Sequence, residues 1–469
     1  MSAGKPTRLL IMVWDGMRPD LISPELTPNL AALGAGGVVF DAHHAVVPTV
    51  TRINAATLAT GAPASSHGLP ANVFYAPAVD AAAPIEIGAG DNVAQLRQAY
   101  GVFAAPTIAD VIWANGGRTA IVSSGTRGSA QMLHPRRQEV GDLILHPTLS
   151  TPEELGPIVE RLGPLPEADV PDTPRNRWLT HAIAEILLPE RRLDVLIFWH
   201  DDPDKSQHRY GFGHPLSLRA IREADEHLGM LLDGLAAAGL RDETLVVVAS
   251  DHGYVGVHER TDLRPVLAGI ADTGSVVVAP NGCSALLHLV RQDARLVARI
   301  AEELGRTPGI GVMFSGVRGA QPADGTYPLV WLGLDGPLAP DLLVTLAWSD
   351  DRNEHGYPGV SPEHGTTNQA SHGGASAWEI RNTLVVQGPG IQAGLRSSLP
   401  SGIIDLAPTL LTALGLPVPD SMVGRVLAEA FAGELPAGAA PEHREDVSEA
   451  GRLRWSSYAG RRYLDEARR

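Results

Sequence analysis

Five apolar runs of strand length, Leu9–Trp14, Thr119–Ser123, Val195–Trp199, Leu245–Ala249 and Thr383–Val386, alternate along the chain with stretches patterned for helices. Runs that are apolar on both faces belong to strands covered on both sides. The alternation therefore predicts an α/β chain with a mainly parallel central sheet flanked by helices. Helices are expected over Thr27–Leu33, Ile53–Thr60, Ile108–Ala114, Pro174–Leu187, Ser217–Ala238 and Asp293–Glu303, with Gly239 placed to stop the fifth. Ile404–Leu411 reads as a helix N-capped by Asp405 with Pro408 in its first turn. At 469 residues and 44% hydrophobic, the chain is ample for such a body plus inserted loops.

Three stretches resist this pattern. Ala76–Gly90, rich in alanine and proline, is expected to be a surface loop, and Gly309–Arg352 carries further strand-like runs between Asp251-His252 and His372. The expected organisation is one catalytic body over 1–435, with an inserted cap region at about 255–370, and a charged C-terminal tail over 436–469. No fixed-period repeat is present.

The net charge is −16, and no basic run interleaved with aromatics appears, which argues against a nucleic-acid polymer as partner. Acidic side chains repel anions, so a phosphate-type ligand would need metal ions to reverse the local field. Cys283 is the only cysteine, which excludes an internal disulfide and a thiolate-rich metal centre and fits a reducing compartment. Leu9–Trp14 is too short to span a membrane and no small-residue cleavage site follows it, so a cytoplasmic location without membrane association is the expectation.

Chemistry concentrates at the strand ends. Asp15-Gly16, Asp204-x-x-x-His208 and Asp251-His252-Gly253 follow apolar runs, with His372-Gly373 further on. Parallel strands gather their carboxyl ends at one edge of a sheet, where open α/β folds bind ligands. Carboxylate and imidazole are also the donors that hold zinc-like ions in open sites. Pro48-Thr49-Val50-Thr51-Arg52-Ile53-Asn54 offers a hydroxyl that becomes a nucleophile only if a base or cation takes its proton.

Each assignment has a structural competitor. A lone Asp after a strand is usually a turn or cap residue, and a lone His usually satisfies a hydrogen bond. Asp201 and Asp202 compete with Asp204, while His258, His355 and His364 compete as ligands. Thr49 competes with Thr51, and either could simply cap the helix before Ile53–Thr60. His43, His44, His67 and His214 are read as structural, and Phe74, Tyr75, Tyr210 and Phe212 as core packing or a stacking surface.

Taken together, the chain resembles the alkaline phosphatase superfamily and, within it, the type I phosphodiesterase and nucleotide pyrophosphatase family. The resemblance runs through Asp15-Gly16, Pro48-Thr49-x-Thr51-x-x-Asn54, Thr60-Gly61, His67-Gly68 and Asn72. It continues through Pro203-Asp204-x-x-x-His208-x-Tyr210-Gly211, Ser250-Asp251-His252-Gly253, Ser371-His372-Gly373-Gly374 and Asp405-Leu406-Ala407-Pro408-Thr409. It implies an alkaline-phosphatase-like three-layer sandwich with two divalent ions, zinc being expected. Asp204, His208 and His372 would hold one ion; Asp15, Asp251 and His252 would hold the other, together with the oxygen of Thr51. It selects Thr51 over Thr49 and assigns catalytic roles to Asn54 and to Asn72, the latter donating to a phosphoryl oxygen. Ile53 departs from the family's threonine-x-proline-asparagine motif.

The implied function is hydrolysis of phosphodiester or nucleotide pyrophosphate bonds through a phosphothreonine. The substrate would be a small phosphate ester or phosphonate, and homo-oligomers are left open. Neutral Asn54 and Asn72 suit a diester, whereas Arg52 could supply charge for a third oxygen. Arg127, in Ser123-Ser124-Gly125-Thr126-Arg127, lies in a neighbourhood similar to where phosphonoacetate hydrolases place lysines, and Asn72-Val73-Phe74-Tyr75 also resembles that group. Arg127, Phe74 and Tyr75 are thus expected to bind substrate, with carbon–phosphorus hydrolysis the alternative and phosphomonoesterase activity behind it. A sulfatase ranks lower because Thr51 cannot mature to formylglycine. A non-catalytic binding protein is the reading from a different class.

Overall fold

The computed structural model describes residues 4–272, 274–316, 320–365, 367–433 and 440–469. Its central sheet has eight strands in the order Leu395–Ser397, Val38–Phe40, Leu384–Gln387, Thr244–Ala249, Arg8–Trp14, Val195–His200, Thr119–Ser123 and Leu143–Leu145. Leu384–Gln387 alone runs against the others. All five expected strands are present, with ends shifted by a residue at most.

Arg8–Trp14 shows why continuous apolar runs were needed. Leu9, Ile11 and Val13 point into one core, which the helices Thr51–Thr60, Ile108–Ala114 and Leu406–Leu414 cover with Ile53, Ile108 and Leu410. Leu10, Met12 and Trp14 point into the other, closed by Leu30 of Pro28–Ala35, Trp178 of Thr173–His181 and Leu228 of Pro215–Ala237. The three-layer architecture follows from burial on both faces. The expected helix Pro174–Leu187 is α-helical over Thr173–His181 and continues as a wider π turn over Ala182–Leu187.

The reversed strand still serves the same rim, because its amino end lies beside the carboxyl end of Thr244–Ala249. The Ser250 N–H donates to Thr383 O at 2.9 Å. Asp15, Asp201, Asp202, Asp204, Asp251 and Thr383 thereby share one edge.

Residues 255–370 form two accessory sheets. One orders Val276–Pro280, Ser284–Leu289, Leu342–Leu346, Ile310–Ser315 and Tyr327–Pro328, and packs the amphipathic helix Ala294–Arg306 through Ile300 and Leu304. Leu286, Val312 and Phe314 on its other face join the main core. The second joins Ser349–Arg352, Pro358–His364, Val255–Thr261 and Ala370–Ser371.

The expected charged tail is instead a three-stranded antiparallel sheet, Glu442–Ser448, Gly451–Tyr458 and Arg461–Arg468. Its charges alternate with Leu453, Trp455, Leu464 and Ala467, which are buried in the main core. One covered and one solvated face is the ordinary pattern of antiparallel pairs. The expected boundary at 435/436 falls outside the described residues.

Ala76–Gly90 includes one strand of a short hairpin, Val73–Phe74 with Ile85–Glu86, joined by a largely exposed turn. Asp405 precedes Leu406–Leu414 but does not cap it. Its carboxylate accepts from the N–H groups of Gly402 and Arg425 and from the Tyr463 hydroxyl, tying the helix start to the C-terminal sheet. Among the described residues, no helix is long and apolar enough to cross a membrane.

Candidate metal centre and nucleophile

Donor atoms of Asp204, His208 and His372 lie within 4.8 Å of one another, and so do those of Asp15, Asp204 and His252. Asp204 belongs to both groups. Its Oδ1 is 3.2 Å from His208 Nε2 and 3.4 Å from His372 Nε2. His252 Nε2 stands 3.4 Å from Asp15 Oδ1, 3.3 Å from Asp251 Oδ2 and 3.4 Å from Thr51 Oγ1.

These separations are long for charge-assisted hydrogen bonds, which run about 2.7–2.9 Å. They match the edges of a tetrahedron: donors about 2.0–2.2 Å from a central ion stand roughly 3.3–3.6 Å apart.

The surroundings orient each donor. His208 Nδ1 faces Ala370 O at 2.9 Å, His372 Nδ1 faces Thr49 O at 2.7 Å, and His252 Nδ1 faces Gly253 O at 3.0 Å. An Nδ1–H donated to a carbonyl leaves Nε2 bare, the tautomer a metal needs. Trp199 Nε1 donates to Asp15 Oδ2 at 2.9 Å, and the Gly16 N–H donates to Asp251 Oδ1 at 3.1 Å. The opposite oxygens, Asp15 Oδ1 and Asp251 Oδ2, are shut from solvent and have no hydrogen-bond partner. Orphaned buried carboxylate oxygens call for a cation.

Electrostatics agree. Burial first, then the charges of Asp251 and Asp204, push the Asp15 carboxyl well above the usual range, and burial does the same to Asp251. Burial also pushes Asp204 up, but His208 and His372 outweigh it and hold the carboxyl well below its usual value. Two divalent ions would relieve this crowding of acids, so the residues fit the group.

The competitors are engaged elsewhere. Asp201 accepts from Ser124 Oγ and Asn176 Nδ2 and pairs with Lys205; Asp202 accepts from Ser206 and the Asp172 N–H. His258 is exposed, His355 lies beside His214, and His364 Nε2 accepts from the Leu263 N–H. His43 and His44 bond Ser401, and His67 bonds Thr57. Thr49 is fully buried, donating to Gly374 O at 2.9 Å and accepting from the Gly373 N–H at 3.0 Å. Thr51 caps nothing: it is the first residue of Thr51–Thr60, so its hydroxyl sits where the helix dipole favours negative charge. The helix forms with Ile53 in place of proline, and that side chain is buried in the core.

Other expected site residues separate. Asn72 Oδ1 accepts from the Arg52 N–H at 2.8 Å, and no described residue accepts from its Nδ2, which leaves that group for an oxygen of a ligand. Asn54 is fully buried, and its amide bonds Val46 and Val50, so it shapes the Thr51 loop rather than meeting substrate. Arg52 is buried and paired with Glu86. Phe74 is core, and the Tyr75 hydroxyl donates to Ala81 O at 2.9 Å, so neither serves as a stacking platform. Tyr210 donates to Val170 O, and Phe212 lies buried under the Arg18 guanidinium. Arg127 lines a cavity that contains none of the metal donors.

The sequence reading missed Trp199, Tyr254 and Asn281. Tyr254 is fully buried and its hydroxyl donates to Asp204 Oδ1 at 3.0 Å. Asn281, from an accessory sheet, accepts the Asn72 and Val73 N–H groups on Oδ1, both at 3.1 Å, and donates to Val73 O at 2.9 Å. A Cβ on Gly373 would lie 1.9 Å from Asn281 O, so the accessory region closes directly onto the His372 loop. Trp199 and Tyr254 adjoin the motifs, a signal that was available, whereas nothing in sequence marks Asn281. Replacing Asn281 by Ala is expected to lower kcat/KM by roughly 10- to 100-fold with metal content unchanged, as loss of an orienting partner does. Steady-state kinetics paired with elemental analysis check this.

A carboxylate–imidazole cluster facing a threonine at the carboxyl rim of such a sheet defines a member of the alkaline phosphatase superfamily. More narrowly, the chain belongs to the type I phosphodiesterase / nucleotide pyrophosphatase family, whose sequence model matches residues 9–348. It is 26% identical over 262 residues to the bis(5'-adenosyl)-triphosphatase ENPP4 of Bos taurus, covering 54% of this chain and 48% of that protein. It is 23% identical over 262 residues to ectonucleotide pyrophosphatase/phosphodiesterase family member 7 of Homo sapiens, covering 55% and 50%. The chain spans about half the length of these curated relatives. The solved murine ectonucleotide pyrophosphatase / phosphodiesterase 5 shares the fold, with a TM-score of 0.62 at 16% identity over 88% of this chain and 96% of that one. An inactive form of it has been solved in complex with AMP, at 17% identity.

Proposed function

We propose that this chain hydrolyses phosphodiester or nucleotide pyrophosphate bonds at a two-metal site, through a phosphothreonine on Thr51. The observation that carries the reading is Thr51 Oγ1 at 3.4 Å from His252 Nε2, beside the orphaned oxygens of Asp15 and Asp251. Asp204, His208 and His372 would hold one divalent ion, and Asp15, Asp251, His252 and Thr51 the other; zinc suits this donor set. When bound, the pair lowers the pKa of a hydroxyl and offsets charge on oxygens around phosphorus.

The protein's own groups do the rest. Thr51 Oγ would lose its proton to solvent and attack phosphorus while the leaving oxygen departs with the bonding pair and takes up a proton from solvent; water then cleaves the threonine ester, restoring the Thr51 hydroxyl and releasing the phosphoryl product. Asn72 Nδ2 and the first N–H groups of Thr51–Thr60 donate to the phosphoryl oxygens as charge grows on them.

The neighbouring cations favour a diester. Arg52 is engaged by Glu86, Lys205 by Asp201 and Asp172, and Arg127 lines a separate cavity. A diester brings one negative charge to the reacting phosphorus and needs no extra arginine or lysine. The zinc-loaded protein should therefore cleave an aryl phosphodiester at least roughly 100-fold faster than the aryl monoester, an aryl sulfate or phosphonoacetate. That ratio corresponds to about 2.7 kcal/mol of differential transition-state binding. A faster monoester or phosphonoacetate rate contradicts the reading.

A further inference from the structure

Arg127 belongs to a different constellation. With Arg97, Gln131, His134, Arg136 and Arg137 it lines a cavity of about 200 Å³, bounded by the helices Asn92–Tyr100 and Arg127–Leu133. Two of the four arginines are neutralised. Arg97 bonds Glu139 at 2.8 Å, and Arg137 bonds Glu154 at 2.6 Å and Leu149 O at 3.2 Å.

Arg127 and Arg136 have no ion-pair partner among the described residues, and the Nε of each is shut from solvent without a hydrogen bond. Two further orphans share the cavity. Gln131 Oε1, an acceptor, is unpartnered among the described residues. His134 is 1% exposed; its Nε2 lies 3.0 Å from Asp142 Oδ2, while its Nδ1 has no partner. Asp91 and Glu139 are the acids that line the cavity, and Glu139 is the one engaged by Arg97.

A buried polar group left without a partner is costly, more so when charged. Gln131 Oε1 is an acceptor, as is His134 Nδ1 when Nε2–H donates to Asp142, so the two arginines without an ion-pair partner among the described residues are what describe a place for something that accepts hydrogen bonds and carries negative charge. Guanidinium donors match phosphoryl and carboxylate oxygens geometrically. The volume admits such a group with room to spare. We propose that this cavity is a second anion site, holding a phosphoryl-type oxyanion between Arg127 and Arg136, separate from the metal cluster.

The test is calorimetric titration of the full-length, zinc-loaded protein, with inorganic phosphate in one arm and AMP in the other. The arms distinguish a free ion from the phosphoryl group of an organic phosphate. In at least one arm the wild type should show a binding event that survives chelation of the metal. Arg127→Gln with Arg136→Gln should weaken that event roughly 100-fold or more, about tenfold for each charge-assisted bond lost. Arg127→Lys with Arg136→Lys, which keeps the charge but lacks the Nε donors, should weaken it less. In anion-free buffer neither variant should melt below the wild type, because neither guanidinium has an ion-pair partner among the described residues. Wild-type affinity and stoichiometry in the glutamine variant, or no chelator-resistant event in either arm, would overturn the proposal. Because that event does not involve the metals, its absence and a failure of Thr51 chemistry are separable results.

Discussion

Alanine at Thr51 should reduce turnover of an aryl phosphodiester by roughly 10⁴-fold or more, the scale on which enzymes lose rate when a nucleophile is removed. The hydroxyl and the neighbouring γ-methyl are the only groups lost. Thr51 is partly exposed at the start of its helix and makes no capping bond, so the fold and the ligand positions of Asp15, Asp251 and His252 are retained. Zinc content should stay at the wild-type value by elemental analysis. Rapid acid quenching of the wild type during turnover should trap phosphate on Thr51, detectable by mass spectrometry, and the alanine variant should trap none. Substantial turnover by the alanine variant would transfer the nucleophile's role to water or another side chain.

The second large effect is expected at Asp204, the one acid that belongs to both donor groups. Asp204→Asn preserves shape and the Tyr254 contact while removing the charge that His208 and His372 share. Loss of an outer-shell partner alone weakens metal binding about 10–100-fold, so loss of a direct ligand should exceed that and abolish activity. Thermal melts report the same event from the other side. Zinc should raise the wild-type melting temperature by mass action and leave the variant unmoved. Zinc stabilising the variant as much as the wild type would remove Asp204 from the centre.

The sheet and the clustering of acids at its rim were legible in sequence for one reason. Strands buried on both faces have to be apolar throughout, so the polar residues that follow them stand out, as Asp15, Asp204 and Asp251 do. Side-chain direction was not legible. In His200-Asp201-Asp202-Pro203-Asp204, three acids follow one strand, and only the positions of Ser124, Asn176, Lys205, Ser206 and Asp172 show which acid is left for metal. Phe74 and Tyr75 were expected to bind substrate because Asn72-Val73-Phe74-Tyr75 resembles the phosphonoacetate hydrolases, but Phe74 belongs to the core and Tyr75 is buried with its hydroxyl bonded to Ala81 O. Arg127 was placed correctly at a strand end yet lines another cavity.

The C-terminal sheet escaped notice because its charged face dominates the composition. Its buried face keeps a period of two at Leu453 and Trp455, but a bulge shifts it between Leu464 and Ala467, so no simple alternation marks it. Asn281 lies more than 200 residues from the Asn72 loop it clamps, beyond the reach of any local pattern.

The central claim is that two divalent ions sit at the rim, one of them against the threonine oxygen. Anomalous diffraction at the zinc edge from crystals of the zinc-loaded protein tests it most directly. Two peaks are predicted, one bonded by Asp204, His208 and His372, the other by Asp15, Asp251 and His252 with Thr51 Oγ beside it. A single peak, or none at these residues, would contradict the account.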